Sequence, residues 1–295
     1  MPITFSLFDP PAPTPAAMPA ADQLPGQAVV QNDRPSTNTA GIKRLTIIIP
    51  AYNEGRTIGL ILDRINEVKL IKNIEKEVII VDDCSTDNTA QVVQEYVTTT
   101  PGLTITYFKY LRHEVNQGKG AAIHTGIEHA TGEYLLVQDA DLEYDPGEYN
   151  TLLKPVVMGA ADVVYGSRFM GGNAHRILFF WHTIGNRFLT FLSNYFNNLN
   201  LTDMETGYKL FRTDIIQRIY LHEKRFGFEP EVTAKISMVP GIKLYEVGIS
   251  YYGRTFAEGK KIGWKDGVKA IYCILKYSLF NNQVLKPQKV EVETA

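Results

Sequence analysis

Two aspartates, Asp139 and Asp141, lie two residues apart directly after the apolar segment YLLVQ. Carboxylates in this D-x-D arrangement can share one hard divalent cation, because Mg²⁺ and Mn²⁺ prefer oxygen ligands and keep positions for phosphate oxygens. Glu143 follows two residues later and could be a third ligand. A D-x-D pair also occurs by chance, and its position after an apolar run is what favours a metal site here. The sequence therefore predicts Mg²⁺ or Mn²⁺ at these three carboxylates.

Polar residues also follow two earlier apolar segments. LTIIIP is followed by AYNE, and EVIIV is followed by DDCSTD. Asp, Asn and Ser are common in turns and helix caps, so each group taken alone has an ordinary structural explanation. The three groups together favour a site for a cation and a polyhydroxyl ligand.

A third feature is Lys119, which lies between two glycines at the predicted start of a helix. Glycines permit close backbone approach, and a helix N-terminus attracts anions, so we predict an anion contact here. A tight turn with an exposed lysine is the alternative. The spacing matches neither the P-loop nor the dinucleotide fingerprint, which argues against both of those nucleotide sites.

The elements that must position these groups are alternating strands and helices. Apolar runs predict strands at 45–50, 77–83, 104–110, 133–141 and 161–168, and in the second half at 208–212 and 242–254. Helical spacing predicts helices at 57–68, around 92–96, and at 119–130, 176–199 and 264–279. Repeated β-α-β units imply an α/β fold with a mostly parallel central sheet and helices on both faces. Ligands of such sheets bind at the carboxyl ends of the strands, where the polar groups lie.

Composition excludes several classes of protein. The 295 residues are 44% hydrophobic and 21% charged, which is typical of a globular domain with a sizeable core. A net charge of −2 argues against a nucleic-acid binder, and two cysteines are too few for a disulfide scaffold. The chain has no run of 18 apolar residues and no secretory signal pattern, so we expect a cytoplasmic protein, either free or peripheral on the cytoplasmic face of a membrane.

The motifs PAYNE, VDDxSxDxT, NQGKGAA, DADLE, GSR and a late RxxxxxK resemble those of family-2 glycosyltransferases with the GT-A fold. Among these enzymes, the chain most resembles the dolichol-phosphate mannosyltransferase-like branch. The members of this branch are polyprenyl-phosphate glycosyltransferases. The resemblance extends from about Leu45 to Phe280. We therefore predict a disordered Pro/Ala-rich tail over 1–42, a single domain over 43–282 and a second tail over 283–295. The domain would divide into a nucleotide-sugar half, 43–168, and an acceptor half, 169–282.

The resemblance also implies roles for individual residues on the donor side. The nucleotide-sugar contacts would come from Pro50, Tyr52, Glu54, Asp83, Lys119, Asp139 and Ala140. Asp83 would contact the base or ribose, and Arg254 and Lys260 would close over the diphosphate from a mobile loop. With Asp139 and Asp141, these two cations form the predicted catalytic group.

On the acceptor side, the resemblance implies that Arg168 of GSR binds the phosphate of a polyprenyl phosphate. A second arginine is less clearly matched, and Arg176 and Arg187 are the candidates, with Thr183 as a hydroxyl partner. The donor would be GDP-mannose or UDP-glucose. The aromatic segment 177–196 has two interpretations, an amphipathic helix on a membrane surface or a helix packed in the core.

The predicted function is metal-dependent, inverting transfer of a hexose to a polyprenyl phosphate. A lipid phosphate is already anionic and needs no general base. A hydroxyl acceptor, as in polysaccharide or cell-envelope glycan synthesis, would need a carboxylate base. Candidates for that base are Asp203, Glu205, Glu229 and Glu231. A non-catalytic nucleotide-sugar binding module is a further alternative, and a nicotinamide-dependent dehydrogenase is excluded by the missing glycine fingerprint.

Overall fold

The computed structural model describes residues 41–171, 176, 180–253, 264–280 and 284–286. Almost all of the two predicted tails lies outside the described residues. The division of the chain at residues 42 and 282 therefore stays a prediction.

Seven strands form one mixed, mostly parallel sheet, as the sequence predicts. In chain order they are β1 Arg44–Ala51, β2 Glu75–Asp82, β3 Ile105–Arg112, β4 Tyr134–Val137, β5 Val163–Ser167, β6 Lys209–Arg212 and β7 Leu244–Gly248. Their order across the sheet is β3-β2-β1-β4-β6-β5-β7. The sequence did not predict the direction of β6, which runs antiparallel to both of its neighbours, β4 and β5. The start of β6 therefore lies at the same edge of the sheet as the carboxyl ends of β4 and β5.

The helices alternate with the strands. They are α1 Ile58–Glu67, α2 Thr89–Thr99, α3 Lys119–His129, α4 Tyr149–Val157, α5 Phe180–Asn197, α6 Thr213–Ile216, α7 Phe228–Ser237 and α8 Trp264–Leu279. Short 3₁₀ turns occupy Ile71–Asn73 and Pro146–Glu148. The bounds of α8 agree with the prediction, and the helix predicted over 176–199 is described from Phe180 to Asn197.

The core lies on both faces of the sheet. Along β1, Ile47 and Ile49 pack in the cluster that includes α1 and α4, whereas Ile48 packs in the cluster that includes α3 and α7. Both faces are buried, so β1 reads as a continuous apolar run rather than an alternating one. A Cβ on Gly126 of α3 would lie 2.3 Å from Ile48 Cγ2, so this glycine lets the helix pack closely on the sheet.

Two strands end earlier than predicted. β4 stops at Val137, four residues before Asp141, and β7 stops at Gly248 rather than continuing to residue 254. A Cβ on Gly248 would lie 2.1 Å from the backbone oxygen of Met170, so the strand ends where another segment crosses it closely. The D-x-D pair therefore lies in a loop after β4 and not in the strand itself.

Candidate active site

Gln138 fixes the loop that carries the D-x-D pair. Its side chain is fully buried, and its Nε2 donates to the carbonyl oxygens of Asp139 and Tyr144. Its Oε1 accepts hydrogen bonds from the hydroxyls of Tyr149 and Tyr208. One buried amide side chain therefore satisfies the carbonyl groups at both ends of the turn. We infer that these hydrogen bonds hold residues 139–144 in a loop, so that β4 ends before it.

Asp139 faces a cation from the start of α3. Lys119 Nζ lies 2.8 Å from Asp139 Oδ1 and 3.0 Å from Oδ2, and the Asp139 side chain is 17% exposed. Glu229, at the start of α7, lies 3.8 Å from the same ammonium. Burial alone would lower the pKa of Lys119, but the carboxylates of Asp139 and Glu229 outweigh burial and raise the pKa above its usual value. The structure therefore brings Lys119 and Asp139 together, as the sequence predicted for one site.

The helix start beside Lys119 already holds an anion, which is the protein's own Asp83. The backbone N–H groups of Gln117 and Gly118 donate to Asp83 at 2.8 and 2.7 Å, and His113 Nδ1 lies 2.7 Å from the same carboxylate. The two flanking glycines let the backbone of residues 223–225 approach closely. Asp83 therefore occupies two backbone N–H groups just before α3, while the assignment of Lys119 to the nucleotide sugar stays a prediction.

The predicted nucleotide residues Pro50, Tyr52 and Glu54 lie at the carboxyl end of β1, beside that of β2. Pro50 is half-buried in β1, and Tyr52 is exposed. Glu54 accepts a hydrogen bond from the Thr57 hydroxyl at 2.7 Å. The turn between them has Asn53 at φ 56°, and its side-chain oxygen accepts from the Thr86 backbone N–H. These contacts join the two strand ends, while the assignment of the residues to a nucleotide stays a prediction.

The three carboxylates predicted as metal ligands are not assembled into one group. Glu143 Oε2 accepts a hydrogen bond from the Tyr251 hydroxyl at 2.7 Å, which holds it toward the segment after β7. Among the residues that the structure describes, no three His, Cys, Asp or Glu side chains group closely enough to hold a metal ion. Asp139 nevertheless fits a cation, because the Lys119 ammonium already contacts both of its oxygens. Ala140 is buried beside it.

Arg168, predicted to bind the acceptor phosphate, is held by a buried carboxylate. Its Nε and Nη2 each lie 2.7 Å from an oxygen of Asp203, and its backbone N–H donates to the same side chain at 3.0 Å. Asp203 is fully buried, and Asn186 of α5 also donates to it at 3.3 Å. Burial would raise the pKa of Asp203, but the guanidinium of Arg168 outweighs burial and lowers it. The acceptor role of Arg168 stays a prediction, now with a partner that fixes its orientation.

The other predicted cations are distributed differently. Arg187 is exposed on α5, and its guanidinium carbon lies 5.9 Å from the centre of the Phe169 ring. The guanidinium carbon of Arg168 lies 5.8 Å from the same ring. Arg176 donates from Nη1 to the backbone oxygen of Gly253 at 3.1 Å. Arg254 and Lys260, the predicted diphosphate cations, lie outside the described residues.

Glu205 is a partly buried acid in the segment before β6. One of its carboxyl oxygens is buried and has no hydrogen-bond partner in the described structure. Burial and the nearby Glu229 raise the pKa of Glu205 to about 8. Burial also lowers the pKa of its neighbour Lys209 to about 8. Glu205 therefore holds a proton across a pH range in which an exposed glutamate is ionised.

We expect Glu205 to contribute stability at pH 5 that is lost as the pH rises to 8. Its pKa rises from 4.5 to about 8 on folding, so the folded state binds the extra proton in this window and loses stability as the pH rises. Between these pH values, the free energy of unfolding of Glu205→Gln should decrease less than that of the wild type, and the difference should be at least about 1 kcal/mol. Urea denaturation at both pH values measures this difference. The exposed Glu114→Gln is the control, and a Glu205→Gln profile parallel to that of the wild type would contradict the assignment.

Several residues that shape the site were not predicted from the sequence. Gln138 and Tyr251 act through contacts with partners far along the chain, so no local spacing indicates them. Gly207 packs so closely that a Cβ there would lie 2.8 Å from Asp139 Oδ2. Only the position of Gln138, next to the D-x-D pair, was a signal available in the sequence.

Comparison with known proteins identifies the family. The family model described as glycosyl transferase family 2 matches residues 46–220, more than half of the chain. The chain belongs to this family and is a glycosyltransferase, with the α/β arrangement that the GT-A enzymes share. The predicted family, fold class and enzyme class are confirmed.

Two relatives of the chain are named dolichyl-phosphate beta-glucosyltransferases. Dolichyl-phosphate beta-glucosyltransferase ALG5A of Trichomonas vaginalis is 29% identical over 249 residues, which cover 80% of this chain and 73% of the relative. Dolichyl-phosphate beta-glucosyltransferase of Saccharomyces cerevisiae is 28% identical over 231 residues, which cover 70% of this chain and 66% of the relative. The chain is thus similar to glucosyltransferases that are named for a dolichyl phosphate.

A solved structure with the same fold is glucosyl-3-phosphoglycerate synthase from Mycobacterium tuberculosis, in complex with Mn²⁺, uridine diphosphate and glucosyl-3-phosphoglycerate. It superposes with a TM-score of 0.61, at 16% identity, over 80% of each chain. At this identity, the match shows a shared fold alone.

Proposed function

We propose that this protein transfers a hexose, with glucose favoured over mannose, from a nucleotide diphospho-sugar to a polyprenyl phosphate. The sequence left both sugars open, and the names of the relatives support glucose. The nucleotide would bind at the carboxyl ends of β1 and β2, where Pro50, Tyr52 and Glu54 lie. A single in-line displacement by the lipid phosphate would invert the anomeric carbon.

The observation that carries the acceptor proposal is the position of the aromatic helix α5 beside the acceptor arginines. Phe169 lies within 6 Å of the guanidinium carbons of both Arg168 and Arg187. Exposed apolar side chains on α5 are Phe180, Trp181, Ile184, Phe188, Phe191 and Tyr195. They recur at intervals that place most of them along one side of a helix. A polyprenyl phosphate would match this surface, because its phosphate can contact the arginines and its apolar chain can lie along the exposed side chains of α5.

The adjacent helix α8 also exposes apolar side chains. It packs against α5 and exposes Val268, Tyr272 and Leu279. Among the described residues, no helix is long and apolar enough to cross a bilayer. We infer that α5 and α8 lie on the membrane surface and bring the site to a lipid acceptor, since exposed aromatic and aliphatic groups insert at the headgroup boundary.

On the donor side, Asp139 and Asp141 would hold Mg²⁺ or Mn²⁺. The ion would supply positive charge for the leaving nucleoside diphosphate. Lys119, 2.8 Å from Asp139, would place a second positive charge beside the same group. Charge that develops on the diphosphate would thus meet cations that are already in position. Arg254 and Lys260 remain candidates for the same task.

A screen of donors against acceptors tests the proposed function. UDP-glucose and GDP-mannose are each incubated with a short-chain polyprenyl phosphate, with phosphoglyceric acid and with an oligosaccharide, with and without chelator. We expect labelled sugar in the polyprenyl phosphate with UDP-glucose only, and no product in chelator. Transfer to a hydroxyl acceptor alone would contradict the proposal and favour Glu229 as a general base, because Glu205 holds its proton at neutral pH.

The membrane contact gives a separate prediction. Replacing Trp181 and Phe188 together with Ser should reduce binding to anionic phospholipid vesicles by at least about tenfold, because two exposed aromatic groups no longer insert. Turnover with a vesicle-bound long-chain acceptor should fall, whereas turnover with a water-soluble short-chain acceptor should not. Co-sedimentation and both assays measure these effects.

The control is Met158→Ser, which removes an exposed apolar side chain at the end of α4. It should leave vesicle binding unchanged. Equal binding by the double variant and the wild type would show that α5 does not contact the membrane.

A further inference from the structure

Lys119 contacts both carboxylate oxygens of Asp139, at 2.8 and 3.0 Å. Asp139 is the residue that we propose as a metal ligand, so one ammonium contacts both of the oxygens that a metal ion would use. The only other carboxylate recorded near this ammonium in the described structure is Glu229, at 3.8 Å.

The position of the ammonium is set by the fold. Lys119 is the first residue of α3, and Asp83 fixes the start of that helix through the N–H groups of Gln117 and Gly118. The Ala121 N–H also donates to the Lys224 backbone oxygen at 3.0 Å. Asp139 also packs closely against Gly207, where a Cβ would lie 2.8 Å from Asp139 Oδ2. The ion pair therefore joins two segments that are each held in place.

We propose that Lys119 couples metal binding at Asp139 to binding of the nucleotide diphosphate. This inference rests on the metal-dependent function proposed above. A divalent cation that arrives alone must displace the ammonium or bind beside it, and like charges at this distance repel. A diphosphate offers the ammonium a new anionic partner, so that Asp139 can turn to the metal. Metal and nucleotide then each raise the affinity of the protein for the other by the same factor.

The first experiment measures Mn²⁺ binding without nucleotide, by electron paramagnetic resonance of the free ion. Lys119→Met keeps the length and apolar stem of the side chain but removes its charge. We expect Lys119→Met to bind Mn²⁺ about tenfold more tightly than the wild type, since the competing ion pair is gone. Lys224→Met is the matched control, because Lys224 is an exposed lysine near the same helix start whose Nζ lies 3.5 Å from Gln117. It should change the affinity by less than about twofold.

A double variant locates the effect. In Lys119→Met/Asp139→Asn, the gain in Mn²⁺ affinity should disappear, because the freed carboxylate has been removed. The second experiment repeats the titrations with UDP and, separately, GDP, after correction for Mn²⁺ bound to nucleotide alone. One of the two nucleotides should raise the Mn²⁺ affinity of the wild type by about tenfold or more, and that of Lys119→Met by much less.

The outcomes separate this inference from the proposed function. Lys119→Met that binds Mn²⁺ no more tightly than the wild type, or wild-type affinity that neither nucleotide changes, would overturn the coupling while leaving the glycosyl transfer intact. If no variant binds Mn²⁺ and turnover continues in chelator, the metal-dependent function fails as well.

Discussion

Asp139→Asn is expected to lower kcat/KM by at least about a thousandfold while the protein stays folded. The substitution removes one anionic oxygen from the proposed metal ligand and the charge that orients Lys119, 2.8 Å away. Both changes weaken the stabilisation of the leaving diphosphate, whose negative charge grows in the transition state. Steady-state kinetics with the donor and acceptor identified by the screen measures the effect.

The matched control for this prediction is Asp145→Asn. Asp145 lies in the same stretch of chain, and its side chain accepts a hydrogen bond from the Gly147 N–H at the start of a 3₁₀ turn. An asparagine oxygen can accept the same bond, so activity should change by less than about threefold. The idea that Asp139 serves the reaction would be abandoned if both variants lost activity equally, or if Asp139→Asn kept more than a tenth of the wild-type rate.

The second large effect concerns stability. Asp203→Ala should lower the free energy of unfolding by about 3 kcal/mol or more, because it leaves the Arg168 guanidinium without its bidentate partner. Asp203 is fully buried and the Arg168 side chain is 16% exposed, so water replaces little of the lost interaction. Chemical denaturation measures the change.

Asp214→Ala provides the comparison. Asp214 also forms a close pair with an arginine, 2.7 Å from Arg212 Nε, but its side chain is 54% exposed. An exposed pair contributes at most about 1 kcal/mol, so this variant should be much less destabilised. Similar losses in the two variants would mean that burial does not set the strength of these pairs in this protein.

Much of the sheet and part of the site follow from local patterns in the sequence. Buried strands such as β1 have a continuous apolar run, and the carboxyl ends of parallel strands meet at one edge. Lys119 and Asp139 were therefore both predicted at that edge, and the structure places them in contact. The ends of β4 and β7 were predicted too late, because tertiary contacts of Gln138 and Gly248 end those strands.

Other contacts could not be predicted because the partners lie far apart in the sequence. Tyr251 holds Glu143, and Asp203 holds Arg168, across 108 and 35 residues. Asp83, predicted to contact the base or ribose, also accepts hydrogen bonds from the backbone N–H groups just before α3. In each case the residue type and its approximate place were predicted, but which group it contacts depends on three-dimensional packing that spacing does not encode.

The reversed direction of β6 has a consequence for engineering this enzyme. Residues 198–208 connect α5 to the start of β6, so this one segment reaches the edge of the sheet where the candidate site lies. It could be exchanged as a cassette for the corresponding segment of a relative, with the pairing of β6 on β4 and β5 retained as the anchor. Chimeras that keep Asp203, the partner of Arg168, should alter substrate choice without a change in the sheet, whereas insertions after β6 would emerge at the opposite edge, away from the candidate site.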